Sequence, residues 1–108
     1  MREGLSVRDG WAKPYAEKLV AGETVSFRPR GNSMTPRIKS GQLCTVEPLV
    51  ADPEVDDVVL CFVRSSYYLH LVKSVDLNRG FLIGNNHGRL NGWVNRSQVY
   101  GRLVKVEA

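Results

Sequence analysis

The stretch Val58-Val-Leu-Cys-Phe-Val63, followed closely by Tyr67 to Val75, decides the class of the fold. Both runs are built from valine, leucine, tyrosine and phenylalanine, side chains that suit a pleated, half-buried strand. Working outward, similar runs recur in Thr24-Val-Ser-Phe27, Leu43-Cys-Thr-Val46, Phe81-Leu-Ile83 and Val99 to Val106. The breaks hold Gly31, Pro36, Gly41, Pro48, Pro53, Asn78, Gly80, Gly84, Gly88 and Gly92, the turn formers that closely spaced strands need. Only ahead of Gly22 is the period helical: Trp11, Tyr15 and Leu19 recur every four residues, Pro14 suits a first helical turn, and Gly22 suits a left-handed cap. The expectation is a mostly β domain, a small, coiled and partly barrel-like sheet with one short N-terminal helix over residues 13–21.

A chain of 108 residues with 43% hydrophobic and 24% charged side chains has the material for one core and for one domain. No window approaches the roughly 18 apolar residues of a membrane span, and the first ten residues lack the apolar stretch of a signal peptide. The sequence therefore reads as a cytoplasmic protein with no membrane contact. Cys44 and Cys61 stand singly within apolar runs, without the spacing of a zinc or redox site; they read as buried thiols, with a disulfide as the alternative. Two histidines in the whole chain argue against a metal site, and no cofactor is expected.

The net charge of +4 is segmented: residues 1–40 carry eight Lys/Arg against four Asp/Glu, residues 41–76 two against six, and residues 77–108 five against one. No part forms a dense basic cluster, so this is ordinary solvated charge and nucleic acid is not expected as a partner. The segment ahead of Gly31 holds one helix and one strand, too little for a helix-turn-helix. His87, Arg89, Asn91 and Trp93 read as a polar and aromatic loop.

The segment richest in chemistry is Arg30-Gly-Asn-Ser-Met-Thr-Pro-Arg-Ile-Lys-Ser-Gly41. Gly31 can take backbone angles closed to other residues, Met34 can plug inward, and Pro36 stiffens the exit, so Ser33 can sit on a rigid, exposed turn. By itself the segment is also what a Gly/Ser/Pro loop without chemistry looks like.

The order of the neighbouring segments adds a resemblance. Gly31-Asn-Ser-Met-Thr-Pro36, Ile38-Lys-Ser-Gly41, Val46-Glu-Pro48, Asp57-Val-Val59, Leu69 to Val75, Ile83-Gly-Asn-Asn86 and Tyr100-Gly-Arg-Leu-Val104 together resemble the peptidase domain of the signal peptidase and LexA-like superfamily. The resemblance covers residues 24–106 as the peptidase core, with residues 1–23 as a helical lead-in. It implies a coiled β-structure that hydrolyses a peptide bond in a protein or peptide substrate, with Ser33 as nucleophile. A serine hydroxyl needs a neighbouring base, and the resemblance offers His70, followed by Val72 and Val75 as the family's base is followed by apolar residues, or Lys73 as the alternative base. Strand alternation sets His70 on a face with Tyr68, Val72 and Ser74, and Lys73 on the other with Leu69, Leu71 and Val75. Histidine acts as a base near pH 7 unaided, whereas lysine first needs burial or a like charge.

The family's late Gly-Asp-Asn box is Gly84-Asn-Asn86 here, which makes Asn85 the expected orienting partner of the base, supplying a hydrogen bond but no charge. Similarly, Gly-Asp after the serine box is Gly41-Gln42, and the glycine ahead of Asp57 is Asp56. Oxyanion donors are expected from the turn at Gly31 to Met34. The substrate is expected to add as a strand beside Thr24 to Pro29 and near Val58 to Val63; the resemblance implies small residues before the cleaved bond. Ala21-Gly22 resembles the bond that LexA-like members cut in themselves, and a homodimer through residues 99–106 is a further family habit. A binding module that keeps the fold without catalysis, an inhibitor or adaptor, is the alternative from another class.

Overall fold

The computed structural model describes residues 10–108. Residues 1–9 of the 1–23 lead-in lie outside the described residues. Among the described residues the chain is mostly β with one short α-helix, and the seven strands form a single antiparallel sheet.

Helix α1 spans Lys13–Val20 and has Pro14 in its first turn, where a missing N–H costs nothing. Its end is a Schellman motif: Gly22 takes φ +92°, its N–H donates to Leu19 O at 3.0 Å, and Glu23 N–H donates to Lys18 O at 2.9 Å. Ala12, Ala16 and Leu19 bury one face, while Trp11 and Tyr15 close over Phe27 with ring centroids 5.3 and 4.7 Å away. The helix thus caps one face of the sheet and carries Trp11 to the edge of the serine-bearing loop.

Strands β1 (Val25–Phe27), β2 (Leu43–Pro48), β3 (Val58–Val63), β4 (Ser66–Asp76), β5 (Gly80–Gly84), β6 (Leu90–Val94) and β7 (Val99–Glu107) lie in the spatial order β1-β2-β7-β3-β4-β5-β6. The last strand thus runs through the middle of the sheet, between β2 and β3, and joins the two halves. β3 is buried almost throughout because both of its faces are covered. Val58 and Leu60 face the core shared with α1, β1 and β2, whereas Val59, Cys61 and Val63 face a second core with Val72, Phe81, Ile83, Val94 and Val99. Strand alternation in one central element therefore divides the interior in two.

Six strands fall where the sequence places them. The seventh, β6, occupies part of the expected polar loop: Leu90-Asn-Gly-Trp-Val94 pairs with β5 through Phe81↔Val94, Leu82↔Trp93 and Ile83↔Gly92. Gly92 sits at φ +140°, a conformation that glycine takes without strain. Cys44 and Cys61 are both buried and free, so the alternative of a disulfide does not hold. No helix among the described residues is long and apolar enough to cross a membrane.

Candidate active site

The serine-bearing loop between β1 and β2 is closed at its neck. Gly41 N–H donates to Pro29 O at 2.9 Å, and the Arg28 guanidinium donates to Gly41 O at 2.9 Å. Within the loop, Thr35 N–H donates to Asn32 O at 3.2 Å, which makes Asn32–Thr35 a tight turn with Ser33 at its second position. Met34 and Ile38, 5% and 4% exposed, pin the turn from below, and Ser33 is left at the surface.

A second loop holds the turn from the side. Asn86 N–H donates to Ser33 O at 2.9 Å, and Asn86 Nδ2 donates to Thr35 O at 3.0 Å. His87 Nε2 lies 3.1 Å from Asn32 O and 2.9 Å from Thr35 Oγ1. The Thr35 hydroxyl already donates to Asn32 O at 2.9 Å, so the proton of His87 sits on Nε2 and is shared between these two oxygens. Three of the four residues of the serine turn, Asn32, Ser33 and Thr35, are thereby tied to one neighbouring loop.

Ser33 Oγ meets His70 Nε2 at 3.0 Å, and His70 Nδ1 meets Asn91 Oδ1 at 2.7 Å. The structure thus brings Ser33 and His70, 37 positions apart in sequence, into a hydrogen-bonded pair with β4 supplying the imidazole. Because an amide oxygen only accepts, Nδ1 carries the proton, and Nε2 is left as the acceptor for the serine hydroxyl. Tyr68 lies against the imidazole with its ring centroid 4.8 Å away. His70 is 7% exposed, and burial lowers its pKa below 6.5; the hydrogen bond to Asn91 acts in the opposite direction, and the positive charge of Lys73 adds to the lowering. The imidazole is therefore neutral, and able to take a proton, at pH 7.

Among the described residues, Ser33 Oγ is hydrogen-bonded to His70 and not to Lys73. The β4–β5 register shifts between Val72 and Ser74, so simple alternation does not carry through this position, and the Lys73 stem lies against Gly84. Asn85 does not orient the imidazole either. Its Oδ1 accepts the backbone N–H groups of His87 at 2.8 Å and Arg89 at 3.0 Å, an Asx turn that shapes the loop presenting Asn86 and His87. The group on His70 Nδ1 is Asn91, delivered by β6, a residue the sequence marks only as part of a polar loop.

Of the expected oxyanion donors, Gly31 N–H is taken by Ser40 Oγ at 3.1 Å, and Gly31 serves the turn through its φ of +113°. Among the described residues, the N–H groups of Ser33 and Met34 have no protein acceptor. They flank the serine hydroxyl on the turn and remain free to donate. β1 lies at the edge of the sheet and, among the described residues, pairs only with β2, which leaves its outer edge without a described partner strand. β3 has both edges taken, by β4 and β7, which rules out the second expected strand position near Val58 to Val63. The Ala21-Gly22 bond is held in the cap of α1 by the two bonds described above. No protein-family model matches the chain, and no curated protein matches it.

Proposed function

We propose that this protein is a serine endopeptidase of the signal peptidase and LexA-like superfamily, acting in the cytoplasm on a protein or peptide substrate. The observation that carries the reading is the relay of Ser33 Oγ to His70 Nε2 at 3.0 Å and His70 Nδ1 to Asn91 Oδ1 at 2.7 Å, beside a rigid turn. A hydroxyl at hydrogen-bond distance from a neutral, oriented imidazole is the arrangement that nucleophilic catalysis by serine requires.

In the reaction, Ser33 Oγ forms a bond to the scissile carbonyl carbon while its proton passes to His70 Nε2. The carbonyl electron pair moves to oxygen, where the N–H groups of Ser33 and Met34 stabilise the negative charge. The imidazolium then gives its proton to the leaving amine as the C–N bond breaks. Water, deprotonated by the same nitrogen, releases the acyl group from Ser33 and restores the hydroxyl. Asn91 holds Nδ1–H throughout and so keeps Nε2 aimed at the serine. It brings no charge, so His70 relies on its own basicity. The free, buried thiols of Cys44 and Cys61 fit a reducing compartment.

The test is cleavage itself. Native protein incubated with a mixture of unfolded proteins is expected to generate new N-termini, read by mass spectrometry, that are missing with Ser33→Ala. Identical N-termini with both proteins would overturn the reading and favour a binding module on the same fold.

A further inference from the structure

Beside Ser33 and His70 lies a cavity of about 410 Å³, the larger of the two described hollows on the molecule. Its size falls within the range of sites that enclose a ligand group, roughly 300–1,000 Å³. Six of the side chains lining it are large and apolar or aromatic: Trp11 from the lead-in, Met34 and Ile38 from the serine loop, and Tyr67, Tyr68 and Leu69 from β4. Small side chains, as the family resemblance implies, would leave most of this space unfilled, and an unfilled apolar wall forfeits its packing contacts.

The charge at the cavity has one sign. Arg28 and Arg30 both line it and both are exposed, and no Asp or Glu lines it. Among the described residues, neither guanidinium is paired with a carboxylate; Arg28 is held in place by its bond to Gly41 O. A positioned arginine whose remaining N–H groups face a cavity suits a carboxylate. The outer edge of β1 runs directly into this region through Arg28, Pro29 and Arg30, so an extended peptide added there brings its side chains past both arginines.

We propose that this cavity is the specificity subsite: it seats a large apolar side chain, aromatic in preference, from a peptide that carries an acidic residue beside it. The proposal rests on the peptidase reading for its catalytic meaning. Its binding half stands on the cavity and the two arginines.

The experiment uses the Ser33→Ala protein, which holds peptide without turnover. Fluorescein-labelled octapeptides with blocked C-termini differ at one position, Phe or Ala, and at its neighbours, Asp, Asn or Lys; binding is read by fluorescence anisotropy. The Phe peptide is expected to bind at least about ten-fold more tightly than the Ala peptide. Asp beside it adds a further several-fold that fades as salt is raised. Arg30→Glu, a change at an exposed position, is expected to reverse the order of the Asp and Lys peptides while keeping the Phe preference, an inversion that loss of folding cannot imitate. Equal binding of Phe and Ala peptides, indifference to Asp and Lys, or no binding by any peptide would each overturn the proposal. Labelling of Ser33 by a fluorophosphonate in the native protein, run alongside, judges the peptidase reading separately: labelling without a Phe preference sinks the subsite alone, and a Phe preference without labelling sinks the peptidase reading alone.

Discussion

Asn91→Ala is the most discriminating perturbation of the site. In the native protein its Oδ1 is 2.7 Å from Nδ1 of an imidazole that is 7% exposed. Removing the acceptor leaves a buried N–H unpaired, which costs about 1–3 kcal/mol. For a domain of this size that lowers Tm by roughly 5–20 °C. The same bond fixes the proton on Nδ1, so its loss also lets the imidazole turn and present the wrong nitrogen to Ser33. If the whole 1–3 kcal/mol enters the barrier, labelling of Ser33 by a fluorophosphonate slows by about 5–150-fold. The pH profile changes as well. The Asn91 bond raises the His70 pKa, so Asn91→Ala moves the labelling midpoint further below 6.5, whereas Asn91→Asp supplies a negative charge and moves it upward. Melting curves and labelling rates between pH 4 and pH 9 read all three effects. An Asn91→Ala protein that labels within two-fold of native, with an unmoved midpoint, would refute the relay.

The same logic gives further outcomes. Lys73→Met removes a positive charge that lowers His70, so the labelling midpoint is expected to rise toward 6.5 with the maximal rate retained; abolished labelling in this variant would make Lys73 the base. Because burial holds His70 below its unfolded value of 6.5, its neutral form contributes stability that is complete above pH 6.5 and is lost as pH falls through the folded-state value; His70→Gln is expected to flatten that part of the pH–stability curve, and an unchanged curve would count against it. Asn86→Ala deletes the Nδ2 bond to Thr35 O, costing about 0.5–1.5 kcal/mol and loosening the nucleophile turn, so labelling slows several-fold while the midpoint stays put. Cys61 is fully buried, its thiol pushed well up by that burial, and it is expected to react with a disulfide reagent only at the rate of unfolding; fast reaction in the native protein would contradict the second core.

How much of this is legible in the sequence follows from the kind of signal each element leaves. Helix α1 announces itself at both ends, through Pro14 and through Gly22, because termination of a helix is a local matter of backbone angles. The apolar, β-branched strands are equally plain. β6 is hidden because Asn91 and Gly92 in its middle carry turn-forming rather than strand-forming character, and the strand exists through its pairing with β5. Asn91 is missed for the same cause: its meeting with His70 spans 21 residues and depends on a strand the local pattern does not reveal. The sequence favours His70 as the base and keeps Lys73 as the alternative, and regular alternation cannot separate their settings once the register shifts between Val72 and Ser74. Asn85, two residues from His87, is engaged locally by the Asx turn, a use of asparagine that sequence position alone does not separate from service at the base. Ser33 is legible as an exposed turn residue, but the clamp of Asn86 and His87 around it arises from loops more than 50 positions apart.

The central claim, that Ser33 is a nucleophile with His70 as its base, is tested most directly by fluorophosphonate labelling with mass-spectrometric mapping of the adduct, followed from pH 4 to pH 10 on native protein and on His70→Ala. The account predicts a single adduct on Ser33, a rate that rises with pH to a plateau with its midpoint below 6.5, and loss of labelling in His70→Ala. An unlabelled Ser33 across the whole range, or labelling that survives His70→Ala unchanged, would contradict it.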